Sequence, residues 1–138
     1  MDLDDFFDTY RAMLIAGDVE GLGRLYTENA VFSSIDGPDG DQWQVGREAI
    51  VAGIRDSLTH AKVRSETPPT TPYDRRGDDL AARFGTFEAT AEPVGGGPEM
   101  NLTVRSIEIF AFDPVEGWRY LADETQILSI TTTRPGPT

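Results

Sequence analysis

The sequence predicts an α+β fold in which a strongly curved antiparallel sheet wraps around three N-terminal helices, as a cone with an internal pocket. Two observations lead to this prediction. Apolar residues in the first 60 positions recur every three or four residues, as they do on one side of an amphipathic helix. From about Ala61 onward the chain instead forms strand-like segments that are separated by turns rich in Gly and Pro. Helices followed by strands are typical of segregated α+β layers.

The first two helices are predicted from apolar stripes on either side of a glycine. The first stripe consists of Leu3, Phe6, Phe7, Tyr10, Met13 and Leu14. Gly17 suits the left-handed backbone conformation that often ends a helix. Asp18 can cap a second helix that carries Leu22 and Tyr26 on its buried side.

A short strand and a third helix complete the N-terminal half. Residues 30–35 are predicted to form the strand, and residues 36–41 form a loop because of their Asp, Gly and Pro content. The third helix is predicted after Gly46. Its stripe consists of Ile50, Val51, Ile54 and Leu58.

The C-terminal half is predicted to be a meander of strands. The expected strands are 62–66, 80–92, 101–112 and 118–130, and the expected turns are 75–79, 95–98 and 113–117. A chain of 138 residues suits one domain, which we place at residues 1–130. The remaining residues, 131–138, are rich in Pro, Gly and Thr and are predicted to be a flexible tail.

Composition restricts the classes of partner. The formal net charge is −12, which disfavours nucleic acid and anionic membrane surfaces. There is no Cys, so disulfides and thiolate metal sites are excluded. The N-terminus is acidic where a signal peptide would be basic, and no apolar run reaches the roughly 20 residues of a membrane span. We therefore expect a cytoplasmic protein.

Four sequence motifs carry a resemblance to a known family. They are Ala16-Gly17-Asp18, Leu25-Tyr26-Thr27-Glu28-Asn29-Ala30-Val31, Gly46-Arg47-Glu48-Ala49-Ile50 and Gly117-Trp118-Arg119. On these motifs residues 5–130 resemble the nuclear transport factor 2-like, or cystatin-like, superfamily. That superfamily includes ketosteroid isomerases, SnoaL-like polyketide cyclases and limonene-type epoxide hydrolases, as well as non-catalytic binders. The fold alone therefore does not specify a function.

The resemblance implies two residues of an oxyanion hole. Tyr10 matches the oxyanion-hole Tyr of ketosteroid isomerases, and Glu108 matches their protonated Asp; that enzyme is a standard example of a carboxylic acid kept neutral by an apolar site. Strand alternation places Glu108 on one face with Val104, Ser106 and Phe110. On an inward face, burial would raise the pKa of Glu108 and make it a hydrogen-bond donor. On an outward face it would be a solvated surface residue.

The general base departs from the ketosteroid isomerase pattern. The family's base Asp matches Ser34, whose hydroxyl has no evident activating partner. Asp36 lies two residues later and could share the face of Ser34, although the adjoining Gly37 favours a turn there. Polyketide cyclases and epoxide hydrolases carry an acid–base Asp on the last strand, and Asp123 is its match. A pair formed by Asp123 and Glu108 would separate their pKa values into one acid and one base.

These candidates define the expected function. We expect a cofactor-independent isomerase, cyclase or epoxide hydrolase that acts on an apolar cyclic or polyketide-like molecule, with no metal. The alternative is a non-catalytic ligand-binding or protein-interaction domain. The residues expected to contact the substrate are Leu14, Phe32, Ser34, Trp43, Ile54 and Phe110. The resemblance also implies a homodimer through the outer sheet face, where Trp118, Tyr120 and Ile109 were placed by alternation.

Overall fold

The computed structural model describes residues 1–37 and 40–132, in which three helices accompany a seven-stranded sheet. The helices are α1 (Leu3–Ala16), α2 (Val19–Gly23) and α3 (Arg47–His60). The strands are β1 (Tyr26–Ile35), β2 (Gln42–Val45), β3 (Ala61–Glu66), β4 (Asp74–Arg76), β5 (Leu80–Pro93), β6 (Met100–Asp113) and β7 (Gly117–Thr132). The predicted α+β class and the three helices are confirmed.

The sheet is mixed, which corrects the expectation of a purely antiparallel sheet. Its strand order is β2-β1-β7-β6-β5-β3, with β4 paired to β5. All pairs are antiparallel except β1 and β7, which run parallel. Parallel neighbours need a long connection, and here residues 36–116, which include α3 and strands β2 to β6, lie between the two strands. The sheet is also not strongly curled, so the expectation of strong curvature is wrong.

The predicted junction between the first two helices is confirmed. Gly17 ends α1 with φ of 71°, and its backbone N–H donates to the carbonyl of Leu14. The Asp18 carboxylate then accepts a hydrogen bond from the backbone N–H of Gly21 at 3.0 Å, which caps α2. These contacts turn the chain sharply, so that α1 and α2 pack against each other.

The core lies between the helices and the inner face of the sheet. Its largest fully buried side chains are Tyr26, Phe6, Phe110, Leu3, Leu22 and Ile50. The Phe6 ring from α1 meets the Phe110 ring of β6 edge-on, with 5.0 Å between their centroids. The centroid of the Phe6 ring also lies 4.8 Å from that of the Tyr120 ring on β7. The apolar stripe of α1 therefore covers the two central strands.

Several boundaries differ from the prediction. The sequence reading did not include β2, and it placed Arg75 and Arg76 in a turn, whereas they pair with β5 as part of β4. Strand β7 continues through Thr132, past the predicted start of the tail, and residues 133–138 lie outside the described residues. No helix in the described part of the chain combines the length and apolar character needed to cross a bilayer.

The left-handed conformation of Gly17 leads to a stability prediction. Gly17→Ala should lower the free energy of unfolding by about 1–2 kcal/mol relative to Gly95→Ala, because an L-residue is strained at positive φ. Both glycines have open space where a Cβ would be added, so the pair isolates backbone strain. Urea denaturation measures the difference. Equal stabilities of the two variants would contradict this reading of the helix end.

Candidate active site

A cavity of about 270 Å³ lies between the helices and the inner face of the sheet. Its lining comes mainly from α1, α3 and strands β1, β2, β3, β5, β6 and β7, and is mainly apolar. Three carboxyl side chains also line it: Glu66, Glu108 and Asp123. In the part of the chain that the structure describes, no Lys, Arg or His side chain lines the cavity. Within residues 1–37 and 40–132, no group of acidic, His or Cys side chains is placed to hold a metal ion.

The strand register sorts the cavity into a polar and an apolar part. One row across β5, β6 and β7 contains Arg83, Glu108 and Asp123, which are direct cross-strand neighbours. A row nearer the other end of the same strands contains Phe87, Val104 and Ile127. A ligand in the cavity would therefore have a polar environment at one end and an apolar one at the other.

Glu108 forms a buried ion pair with Arg83 and also accepts a hydrogen bond from Tyr120. The Arg83 Nε donates to its Oε1 at 3.0 Å, and the Tyr120 hydroxyl donates to its Oε2 at 2.7 Å. The side chains of Arg83 and Glu108 are each 6% exposed. The inward orientation of Glu108 agrees with the alternation argument. Since both its oxygens accept hydrogen bonds, however, the geometry favours a carboxylate and not the neutral donor that the resemblance implied.

Asp123 forms no ion pair with any described residue. It is 5% exposed, and the Tyr26 hydroxyl donates to its Oδ2 at 2.9 Å. Burial, with a further contribution from the negative charge of Glu108, raises the pKa of Asp123 to about 8, against the opposing effect of the Tyr26 hydrogen bond. Asp123 is therefore mostly protonated at neutral pH, and modestly alkaline conditions deprotonate it.

Glu66 is a third carboxyl of the cavity and is half-buried, and the sequence reading did not single it out. It ends β3, lines the cavity, and its Oε1 has no hydrogen-bond partner among the described residues. Burial and then the charge of Glu108 raise the pKa of Glu66 to about 7, while Arg11 acts in the opposite direction. Both Asp123 and Glu66 can therefore change protonation near neutral pH.

Tyr10 belongs to a cluster of tyrosines beside these carboxyls. Its hydroxyl lies 3.5 Å from that of Tyr26, and its ring meets the Tyr120 ring edge-on with 5.6 Å between centroids. Burial is the largest cause that raises the pKa of Tyr10 well above its ordinary value, so the phenol keeps its proton. The structure thus brings Tyr10, Glu108 and Asp123 to the same cavity, as the sequence predicted for an inward Glu108.

A β-bulge explains why Tyr120 was missed. Phe110 pairs with Tyr120 and Ile109 with Ala122, which leaves Leu121 as the extra residue. The bulge turns both Tyr120 and Asp123 toward the cavity, although they are three positions apart. Simple alternation placed Tyr120 on the outer face, and that expectation is wrong.

The outer sheet face also differs from the expected dimer surface. Trp118, like Tyr120, is buried and cannot contribute an exposed ring. Exposed apolar residues on β5 and β6 include Phe84 and Ile107, which pair directly across the two strands. The homodimer stays a prediction.

Three predicted site residues lie elsewhere. Asp36 is exposed directly after β1, where its φ is 61°, and it does not line the cavity. Trp43 is 66% exposed because its position on β2 points it to the opposite side from Gln42, which lines the cavity. Phe110 is fully buried in the ring cluster of the core and does not line the cavity. The other predicted contact residues line it: Leu14, Phe32, Ser34 and Ile54.

Arg83 and Tyr26 are further polar residues of the site that the sequence reading missed. Arg83 alternates with Ala81 on the predicted strand, which is a signal for an inward charge on a buried face. Tyr26 was assigned to the apolar side of a helix, whereas it begins β1 and directs its hydroxyl to Asp123. Nothing in the local sequence indicates that partner, which lies 97 positions away.

No protein-family model and no curated protein sequence matches the chain. Solved structures do match. A ketosteroid isomerase-like protein from Erwinia carotovora atroseptica is 12% identical with a TM-score of 0.78, covering 92% of this chain and 94% of its own. A candidate scytalone dehydratase from Novosphingobium aromaticivorans is 14% identical with a TM-score of 0.79, covering 96% and 86%.

A third structure carries the name of the fold. It is a nuclear transport factor 2-like protein with a cystatin-like fold from Novosphingobium aromaticivorans, 19% identical with a TM-score of 0.67, covering 91% of this chain and 79% of its own. The chain therefore has the nuclear transport factor 2-like, cystatin-like fold, as its sequence motifs predicted. At these identities the likeness shows the fold alone.

The buried ion pair leads to a second stability prediction. Arg83→Met should lower the free energy of unfolding by about 3–5 kcal/mol at neutral pH, because it leaves Glu108 buried without its cation. The matched control is Arg76→Met, which removes the exposed pair with Asp74 and should cost less than about 1 kcal/mol. Denaturant unfolding measures both. Similar losses in the two variants would contradict an energetically coupled Arg83–Glu108 pair.

The raised pKa of Asp123 predicts how stability changes with pH. Because its folded pKa of about 8 exceeds the ordinary value of 3.8, the folded state binds more protons between these values. Its contribution to the free energy of unfolding therefore falls as the pH rises through that window. Asp123→Asn should gain stability relative to the unmodified protein from about pH 5 to pH 8. Parallel stability curves for the two proteins, measured by urea denaturation, would contradict the assignment.

Proposed function

We propose that this protein is a cofactor-independent acid–base enzyme that acts on an apolar cyclic small molecule held in the cavity. The observation that carries the proposal is Asp123. It is a buried carboxyl that lines an apolar cavity, and its pKa is raised to about 8. General acid–base catalysis is most efficient when the catalytic pKa lies near the working pH.

Asp123 is proposed to be the catalytic residue that moves the proton. Near neutral pH it can deliver a proton to a substrate oxygen, and its ionised form can remove one from carbon. The desolvated site strengthens the ionised form as a base, because water does not stabilise its charge. Isomerisation, cyclisation and hydration or dehydration all use such a proton transfer.

The Arg83–Glu108 pair is proposed to position and tune Asp123. The pair holds a fixed carboxylate in the cross-strand position next to Asp123. That negative charge makes a second ionisation nearby less favourable and so keeps the proton on Asp123. The Tyr10 hydroxyl also lines the cavity and is proposed to donate a hydrogen bond to the oxygen that gains charge during the reaction.

Two further observations support this assignment. The apolar row of Phe87, Val104 and Ile127 provides space for a ring system, while the reacting group faces Asp123. The printed names of structures that share the fold include a ketosteroid isomerase-like protein and a candidate scytalone dehydratase. These names favour acid–base chemistry as a class and do not identify a substrate.

The second candidate function is ligand binding without turnover, or protein interaction on the same fold. It is favoured by Ser34, which lines the cavity where the resemblance places a catalytic Asp. A hydroxyl without a basic partner is a poor proton acceptor at neutral pH. A pure binding protein would keep the cavity and lose the proton transfer.

Proton exchange into a simple cyclic ketone tests the proposal without knowledge of the natural substrate. The protein should catalyse deuterium exchange at the α carbons of 2-decalone in D₂O, and NMR measures the rate of this exchange. The rate should rise with pH and level off above about pH 8, because removal of a carbon-bound proton needs ionised Asp123. Asp123→Asn should reduce the catalysed rate by about 100-fold or more.

The matched control is Asp36→Asn, which alters the exposed carboxylate outside the cavity and should leave the exchange rate unchanged. If 2-decalone binds but the protein gives no exchange above the buffer rate, the binding alternative is the better assignment. If the rate depends on Asp36 and not on Asp123, the proposed catalytic residue is wrong.

A further inference from the structure

We propose that the cavity selects apolar amines and excludes apolar carboxylates, with Glu66 contacting the amine. This inference rests on the proposed function in one respect, because it assigns a ligand class to the same cavity. It does not require that the ligand is turned over. Among the described residues, three carboxyl side chains line the cavity and no cationic side chain does. A protonated amine on an apolar body complements both the charge and the lining.

The negative charge of the cavity is only partly compensated by the protein. Arg83 pairs with Glu108, and no ion pair involving Glu66 or Asp123 is found among the described residues. Arg11 reaches Glu66 through the backbone carbonyl at 3.4 Å and not through the carboxyl group. A buried carboxylate without a cation is costly, so a bound ammonium group would stabilise these side chains in their ionised forms.

Glu66 is the carboxyl best suited to receive the amine. The carboxylate of Glu108 already accepts from Arg83 and Tyr120, and Asp123 accepts from Tyr26. The Oε1 of Glu66 has no partner within the described part of the chain. Rotation about the last side-chain bond is broad for Glu, so either of its oxygens can turn to the cavity.

The aromatic rings and the total charge favour the same ligand class. Phe7, Tyr10 and Tyr120 line the cavity, and aromatic faces attract cations. The formal net charge of −12 attracts cations to the protein and repels anions from it. An apolar carboxylate would meet Glu108, and the described residues contribute no cation to the lining that could pair with it.

Binding of the amine should also release protons from the carboxyl groups of the cavity. Glu66 and Asp123 act on each other, and the other charged and titratable groups that face them are Arg11, Glu108, Glu124, Tyr10, Tyr26 and Tyr120. An ammonium group favours the ionised carboxyls, so binding releases protons from Glu66 and Asp123, whose pKa values are raised to about 7 and about 8. Amine affinity should therefore rise with pH between about 6 and 8.5, while the amine itself stays protonated.

Three adamantane derivatives of the same shape test the proposal: 1-aminoadamantane, 1-adamantanol and adamantane-1-carboxylate. Isothermal titration at about pH 8 should show the amine binding at least about tenfold more tightly than the carboxylate. Glu66→Gln should weaken amine binding about tenfold and change alcohol binding by less than about threefold. The control Glu88→Gln, an exposed residue on β5, should leave all three affinities unchanged.

Titration of the amine in buffers of different ionisation enthalpy should show proton release, which a merely structural role of Glu66 would not produce. If Glu66→Gln fails to fold, the order of the three ligands and the proton release in the unmodified protein decide the question. Carboxylate binding as tight as amine binding, no amine binding, or an unchanged amine affinity in folded Glu66→Gln would overturn the proposal. If the protein selects the amine but does not catalyse deuterium exchange of the ketone, the proposed catalysis is wrong and the amine proposal stands.

Discussion

Two charges buried within the sheet, the guanidinium of Arg83 and the carboxylate of Glu108, set the electrostatics of the cavity. Burial of such a pair is expensive and is offset only by good geometry and further hydrogen bonds. Here Tyr120 satisfies the second oxygen of Glu108, and the guanidinium carbon lies 4.3 Å from the centroid of the Tyr73 ring. Once fixed, the Glu108 charge contributes to the raised pKa of both Asp123 and Glu66.

The backbone that holds this pair also determines what faces the cavity. Because β5, β6 and β7 are adjacent, Arg83, Glu108 and Asp123 form one cross-strand row. The bulge at Leu121 brings Tyr120 into the same region, and without it Tyr120 and Asp123 could not both point inward. The electrostatics and the irregular strand are therefore parts of one arrangement.

Short-range sequence patterns predicted much of this arrangement, but they did not predict the contacts between residues far apart in the sequence. The stripe of α1 placed Tyr10 correctly, and alternation on β6 placed Glu108 on an inward face. Alternation failed on β7, because a bulge shifts the period by one residue and leaves no clear local signal at Leu121. Arg83 could have been found from its place on a buried strand face, whereas the role of Glu66 depends on which strands pack near Glu108.

The substitution of Ser34 at the expected base position need not remove acid–base chemistry, because β1 and β7 are parallel neighbours. Ser34 pairs with Thr125, and Asp123 precedes Thr125 by two residues. One strand spacing and two residues along the strand separate the two positions by about 8 Å. A carboxyl at Asp123 thus faces the same cavity as one at Ser34 would, but it reaches a different atom of a bound ligand. Under the proposed function, the carboxyls of β3, β6 and β7 therefore set the chemistry of the cavity, and a substrate specific to a base on β1 would present the wrong atom to them.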